Sequence, residues 1–128
     1  MKHTFIIGLA LTLSSFVYLN VCNEYNAHVL YVYDGDTITV DAELGFTIHK
    51  EEKLRLARID APELRGEERP QGLISRDALR ELIDGEDITF TDEGKGKYGR
   101  TIAEVFVQDT INISDWLVRN GYAEYKDY

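Results

Sequence analysis

A chain of 128 residues carries about one domain's core and leaves little room for a second. Its 23 Asp and Glu against 14 Lys and Arg give a formal charge of -9, which excludes a broad basic face for gripping duplex nucleic acid. With 44% apolar and 11% aromatic residues it is also no disordered acidic tail.

In chain order, Lys2 and His3 precede FIIGLALTLSSFVYLNV, and residues 1–22 read as an export signal. An uncleaved membrane anchor is the lesser reading, because the apolar run is short for a span of roughly 20 residues. Val21 is too large for a good lipoprotein box before Cys22. As the sole cysteine, Cys22 excludes an intramolecular disulfide and a cysteine-held zinc. The folded domain is expected over residues 28–128.

Three strands follow: HVLYVY (28–33), Thr37 to Asp41, and Lys53 to Ile59, each rich in Val, Ile, Leu, Thr or Tyr and bounded by Gly, Asp or Pro. A helix is predicted around Pro70 to Ile83, where Ile74, Ala78 and Leu82 recur every four residues beside Leu79 and Ile83, with Gly85 as its C-terminal cap. Two more strands, Asp87 to Thr91 and Thr101 to Val107, flank the polar DEGKGKYG. Asn112 caps a last helix that lines Ile113, Trp116 and Leu117 on one face and ends at Gly121. The order β-β-β-α-β-β-α predicts a mainly β, α+β domain: a five-stranded, partly open barrel of the oligonucleotide- or oligosaccharide-binding (OB) kind, with helices plugging one end. Topology alone names no function.

His3, His28 and His49 have no metal or catalytic-triad spacing, and no G-x-S-x-G, phosphate loop or C-x-x-C occurs. What remains is carboxylates and arginines, gathered in YDGDT, LRLARIDAPELR and KGKYGRT. Singly these are a hairpin turn, a strand with its exit, and a basic loop. Together they combine hard oxygens for Ca²⁺, guanidinium forks for a phosphate, and a further carboxylate that can take a proton from water. Phosphodiester hydrolysis uses all three.

The segments DGDT, LRLARIDAPE, PQGLISRDALREL, KYGRTIAEVFV and ISDWLVRNGYA, in this order, resemble the thermonuclease (micrococcal nuclease) family from about His28 to Tyr125. The resemblance implies that Asp36 and Asp60 coordinate calcium with the backbone carbonyl of Ala61, where many members have Thr, while Asp34 orients water or the turn beside them. It implies that Glu63 is the general base, that Arg55 and Arg100 clamp the phosphate, that Tyr98 hydrogen-bonds a phosphate and that Lys97 adds charge. The implied activity is a calcium-dependent endonuclease acting on DNA and RNA, water attacking in line and the 5′-oxygen leaving to give 3′-phosphate ends. A monomer with no obligate protein partner is expected, exported to the medium or the cell envelope.

In a straight strand Arg55 and Asp60 have opposite parity, so a bulge or strand end must intervene; otherwise Arg58 would share Asp60's side. The family pattern points to Arg55. Tyr122, Tyr125 and Tyr128 offer a stacking surface for a base, and the acidic LRGEER (64–69) favours frayed or single-stranded substrate over duplex. Two other classes fit parts of the sequence: a catalytically silent OB module binding single strands or oligosaccharides, and an acidic calcium-binding protein. The joint presence of Asp36, Asp60, Arg55, Glu63 and Arg100 weighs against the silent module.

Overall fold

The computed structural model describes residues 23–127; residues 1–22, on which the export-signal reading and Cys22 fall, and the terminal Tyr128 lie outside the described residues. An antiparallel meander opens the fold: β1 (Glu24–Val32), β2 (Thr37–Gly45) and β3 (Ile48–Leu56). The two-residue β4 (Ile59–Asp60) and helix α1 (Arg69–Ile83) follow, then β5 (Asp87–Lys95), β6 (Thr101–Val107), β7 (Ile111–Asn112), α2 (Ile113–Arg119) and β8 (Glu124–Tyr125). The main sheet runs β3-β2-β1-β5-β6-β7, and β3 also pairs in parallel with β6. That second pairing closes β1, β2, β3, β5 and β6 into a barrel, so the barrel expected to be partly open is shut.

Period-two alternation drives the closure. Ala103, Val105 and Val107 of β6 point inward, as do Ile38, Val40 and Ala42 of β2 and Leu54 and Leu56 of β3. Leu79 and Ile83 from α1, with Ile113 and Leu117 from α2, join the same core, all four fully buried. Each such aliphatic side chain contributes roughly 1.5–3 kcal/mol relative to exposure. The side chain of Asn112 accepts a hydrogen bond from the Asp115 N–H at 3.1 Å, the expected cap of α2.

Three expectations need correction. The first three strands are longer than read, because the charged run His49 to Glu52 hides the far half of the β2–β3 hairpin from a search for apolar residues. The stretch Lys53 to Ile59 is two strands: β3 ends at Leu56, and Ala57–Arg58 turns the chain before β4, with Arg58 at φ 65°. Finally, α1 buries Gly72, Ser75, Leu79 and Ile83, leaving Ile74 half exposed. Its buried face is small at the N-terminal end, where the helix lies against backbone.

A polar clamp holds the barrel seam. Glu52 on β3 accepts hydrogen bonds from Lys95 Nζ (3.1 Å), Thr101 Oγ1 (3.0 Å) and Lys50 Nζ (2.9 Å). Burial alone would raise its pKa, but the bonds from Lys50, Lys95 and Thr101 outweigh burial and lower it from 4.5 to about 2. A carboxyl depressed in the folded state stabilises fully above its unfolded value, and the contribution disappears as pH falls through the folded value. Glu52→Gln is therefore expected to destabilise the protein by about 1 kcal/mol at neutral pH. In urea titrations the gap to the parent should close between pH 4.5 and about 2.

Candidate active site

The site forms where the β1–β2 turn, the end of β3 and the start of β6 meet. In the turn, Tyr33 N–H donates to the Thr37 carbonyl at 3.0 Å, and the Asp36 N–H donates to Asp34 Oδ1 at 3.0 Å. Asp34 thus shapes the loop with its side chain, as aspartates in turns do. Asp36 is stitched in from both ends: its carbonyl accepts from Leu56 N–H at 2.8 Å, Oδ2 from Ala61 N–H at 2.9 Å, and Oδ1 from Thr37 Oγ1 at 3.2 Å. The sequence pattern presents Gly35 as a turn-former, yet it has no positive φ. Space is the constraint: a Cβ there would meet Ala61 Cβ at 2.7 Å and Ser75 Cβ at 2.9 Å.

Arg55 stands opposite Thr37 in the β2–β3 register. Its Nη2 lies 3.2 Å from Asp36 Oδ2 and 3.4 Å from Asp60 Oδ1, while Nη1 donates to the Leu56 carbonyl at 3.2 Å. The parity conflict between residues 55 and 60 is removed by the Ala57–Arg58 turn, which returns Asp60 to Arg55's side. Arg58 goes the other way, bonding Glu104 and Asp115 and covering the Tyr125 ring at 5.8 Å. Those two carboxylates raise its pKa further and keep it charged. Ser114 Oγ donates to the Ala57 carbonyl at 2.8 Å, so α2 fixes the turn from below.

Arg100 immediately precedes β6, whose parallel pairing sets Thr101 beside Leu54 and Ile102 beside Arg55. Its Nη1 donates to Thr37 Oγ1 at 3.2 Å, its Nε to the Lys97 carbonyl at 3.3 Å, and its guanidinium lies 5.6 Å from the Tyr98 ring centre. Glu63 comes from the segment after β4, its N–H bonded to Glu68 Oε2 at 3.1 Å. Beneath that segment lies Gly72 of α1, where a Cβ would meet the Glu63 carbonyl oxygen at 2.3 Å.

A cleft of about 480 Å³ joins these groups. Asp34, Asp36, Asp60 and Ala61 line it with Arg55, Arg100, Glu63 and Tyr98; Lys97 does not. Tyr33 and Arg65 also line it, neither singled out in the sequence. Burial pushes the Asp36 carboxyl up to about 7, aided by Asp34 and only partly offset by Arg55. Of the C-terminal tyrosines, the described Tyr122 and Tyr125 are committed elsewhere. Tyr122 stacks on Trp116 at 5.8 Å, and Tyr125 donates its hydroxyl to Asp115 at 2.8 Å. Neither lines the cleft.

The family model described as "Staphylococcal nuclease homologue" matches residues 53–128, more than half of the chain. The chain belongs to the staphylococcal nuclease homologue family. It is 32% identical over 121 residues to an "Uncharacterized endonuclease" of Escherichia coli O157:H7, covering 94% of this chain and 74% of the relative. A second "Uncharacterized endonuclease", of Haemophilus influenzae, is 34% identical over 116 residues, covering 88% of this chain and 61% of that one. The "Thermonuclease" of Staphylococcus hyicus is 29% identical over 115 residues, 86% of this chain and 64% of that one. In this staphylococcal nuclease homologue the matched segment starts at Lys53 and so takes in Arg55, Asp60, Glu63 and Arg100, with Asp34 and Asp36 before it.

Sequence reasoning missed Thr37, which bridges Asp36 and Arg100, and the two packing glycines. A glycine inside the first turns of an otherwise regular helix was the available signal for Gly72. Gly35→Ala and Gly72→Ala are each expected to lower unfolding free energy by about 1–3 kcal/mol through overpacking, read as a shift of the urea midpoint.

Proposed function

We propose that this chain is a calcium-dependent endonuclease that hydrolyses phosphodiester bonds of DNA and RNA, preferring single strands and leaving 3′-phosphate ends. The observation that carries the reading is the convergence of Asp36 and Asp60 on one nitrogen of Arg55, with Arg100 tethered to Thr37 and Glu63 on the same cleft.

The donor chemistry fits calcium. All side-chain donors are hard carboxylate oxygens, and burial beside Asp34 disfavours the charged form of Asp36, a cost that a nearby cation would relieve. Among the described residues no group of three metal-ligating side chains forms a ready cage. Asp36 and Asp60 would therefore hold the ion as a pair, with the Ala61 carbonyl and water completing its shell. When bound, it would supply positive charge to polarise a phosphate oxygen.

The remaining steps fall to this chain's own residues. Arg55 and Arg100 donate to the non-bridging phosphate oxygens and neutralise the added charge of the five-coordinate transition state, where a planar fork outperforms an ammonium group. The Glu63 carboxylate accepts the proton of the attacking water as the new P–O bond forms. The P–O5′ bond breaks opposite, and the departing oxygen is protonated from solvent. Tyr98, at the cleft mouth, donates its hydroxyl to a phosphate, and Lys97 adds charge beside it.

An exported protein is part of the proposal, supported by the apolar pattern of the leader; N-terminal sequencing of secreted product tests it. Activity is tested by degradation of heat-denatured DNA with calcium or with chelator. Chelation should abolish cleavage, and Glu63→Gln and Arg100→Ala should each lower turnover about 10²-fold or more. Cleavage that survives chelation, or parental rates in both variants, would overturn the reading.

A further inference from the structure

A second groove, of about 350 Å³, runs away from the cleft over the outer face of β1, β2 and β3. Tyr33, Tyr98 and Arg100 line both, so the two are continuous. Beyond them the groove is built by one cross-strand row in which Tyr31 faces Thr39 and Thr39 faces Lys53.

That row exists because β1 is irregular. Val29 pairs with Val40 and Tyr31 with Thr39, leaving Leu30 as an extra residue. Val29 and Val32 point inward, while Leu30 and Tyr31 both point out. Under strict alternation from Val29, Tyr31 would face the core. The bulge re-aims it onto the surface, a use of bulges common beside binding sites.

The result is an unusual surface for so acidic a chain. Tyr31 and Tyr33 are half exposed and Tyr98 is 92% exposed. The groove is lined by Lys53 and Arg100 and by no carboxylate. The side chain of Lys53 has no hydrogen-bond or ion-pair partner among the described residues. The Tyr31 ring is braced by the Arg80 guanidinium at 5.6 Å, itself anchored to the Val32 carbonyl by bonds of 3.3 and 3.1 Å. Fixed aromatic faces with interleaved cations are the chemistry of single-strand binding, bases stacking on rings while phosphates meet the cations. A duplex keeps its base faces covered and gains nothing from such a surface.

Resting on the nuclease reading above, we propose that the Tyr31–Tyr33–Lys53 groove is a single-strand subsite. It stacks the bases of nucleotides flanking the scissile phosphate and directs the strand into the cleft.

The test uses the full chain carrying Glu63→Gln, with calcium, and two fluorescent probes: a short oligothymidylate and the same strand without bases. By anisotropy, Tyr31→Ala with Tyr33→Ala should weaken oligothymidylate binding about tenfold or more, given roughly 1–3 kcal/mol per stacked base. Binding of the baseless strand should change less than about twofold, and Phe at both positions should restore affinity. Lys53→Ala should weaken both probes and flatten the salt slope by about 0.7. Unchanged oligothymidylate binding in the double alanine variant, or equal losses on both probes, would overturn the subsite while leaving the nuclease reading intact. A parent protein, with Glu63 in place, that cleaves no nucleic acid would overturn both.

Discussion

The parallel pairing of β3 with β6 is the constraint on which the site depends. It is short, joining Leu54, Leu56 and the arginine between them to Thr101, Ile102 and Ala103. Yet it is what brings an arginine from the first half of the chain against one from the second. Antiparallel neighbours could have been joined by a tight hairpin, but a parallel pair requires the chain to travel round the barrel first. Closure therefore has to precede assembly of the cleft. The Glu52 clamp sits at the same seam, so a polar cluster that never reaches the cleft holds the two arginines in register.

Charge is distributed unevenly around that seam. A net -9 chain places carboxylates and guanidinium groups at one barrel mouth, where burial has made one acid uncomfortable. Arg58 shows the opposite use of the same residue type. Caught between Glu104 and Asp115 and covering Tyr125, it serves as a strut between the turn after β3 and α2. Two arginines three residues apart thus differ in task because a single reversal of the backbone sends them to opposite sides.

Much of the fold was legible in the sequence. The five barrel strands and both helices announced themselves by period and punctuation, though the two-residue β4, β7 and β8 did not, and the Asn112 cap was read directly from its residue type. What escaped was set by packing between distant segments. No local pattern tells that Gly35 is a glycine because α1 presses on it, or that the buried face of α1 begins with Gly72 and Ser75 instead of Ile74. The charged stretch of β3 was invisible because it forms a hairpin arm with little apolar burial. At the site, Arg55, Asp60, Glu63 and Arg100 stood out as chemistry in ordered motifs. Thr37 did not, since a threonine in a strand carries no mark of the two groups it connects.

The extra residue at Leu30 has a consequence for how this surface could have arisen. Because side chains alternate along a strand, one inserted or deleted residue exchanges inside for outside for everything on one flank of the change. Here the bulge absorbs the extra residue: Tyr31 and Val32 keep the partners Thr39 and Ile38 that follow Val40 in an unbroken ladder, so the ring stays outside and Val32 stays in the core. The strand can thus take up one residue of length at this point while the rings along the groove and the groups at the cleft keep their places.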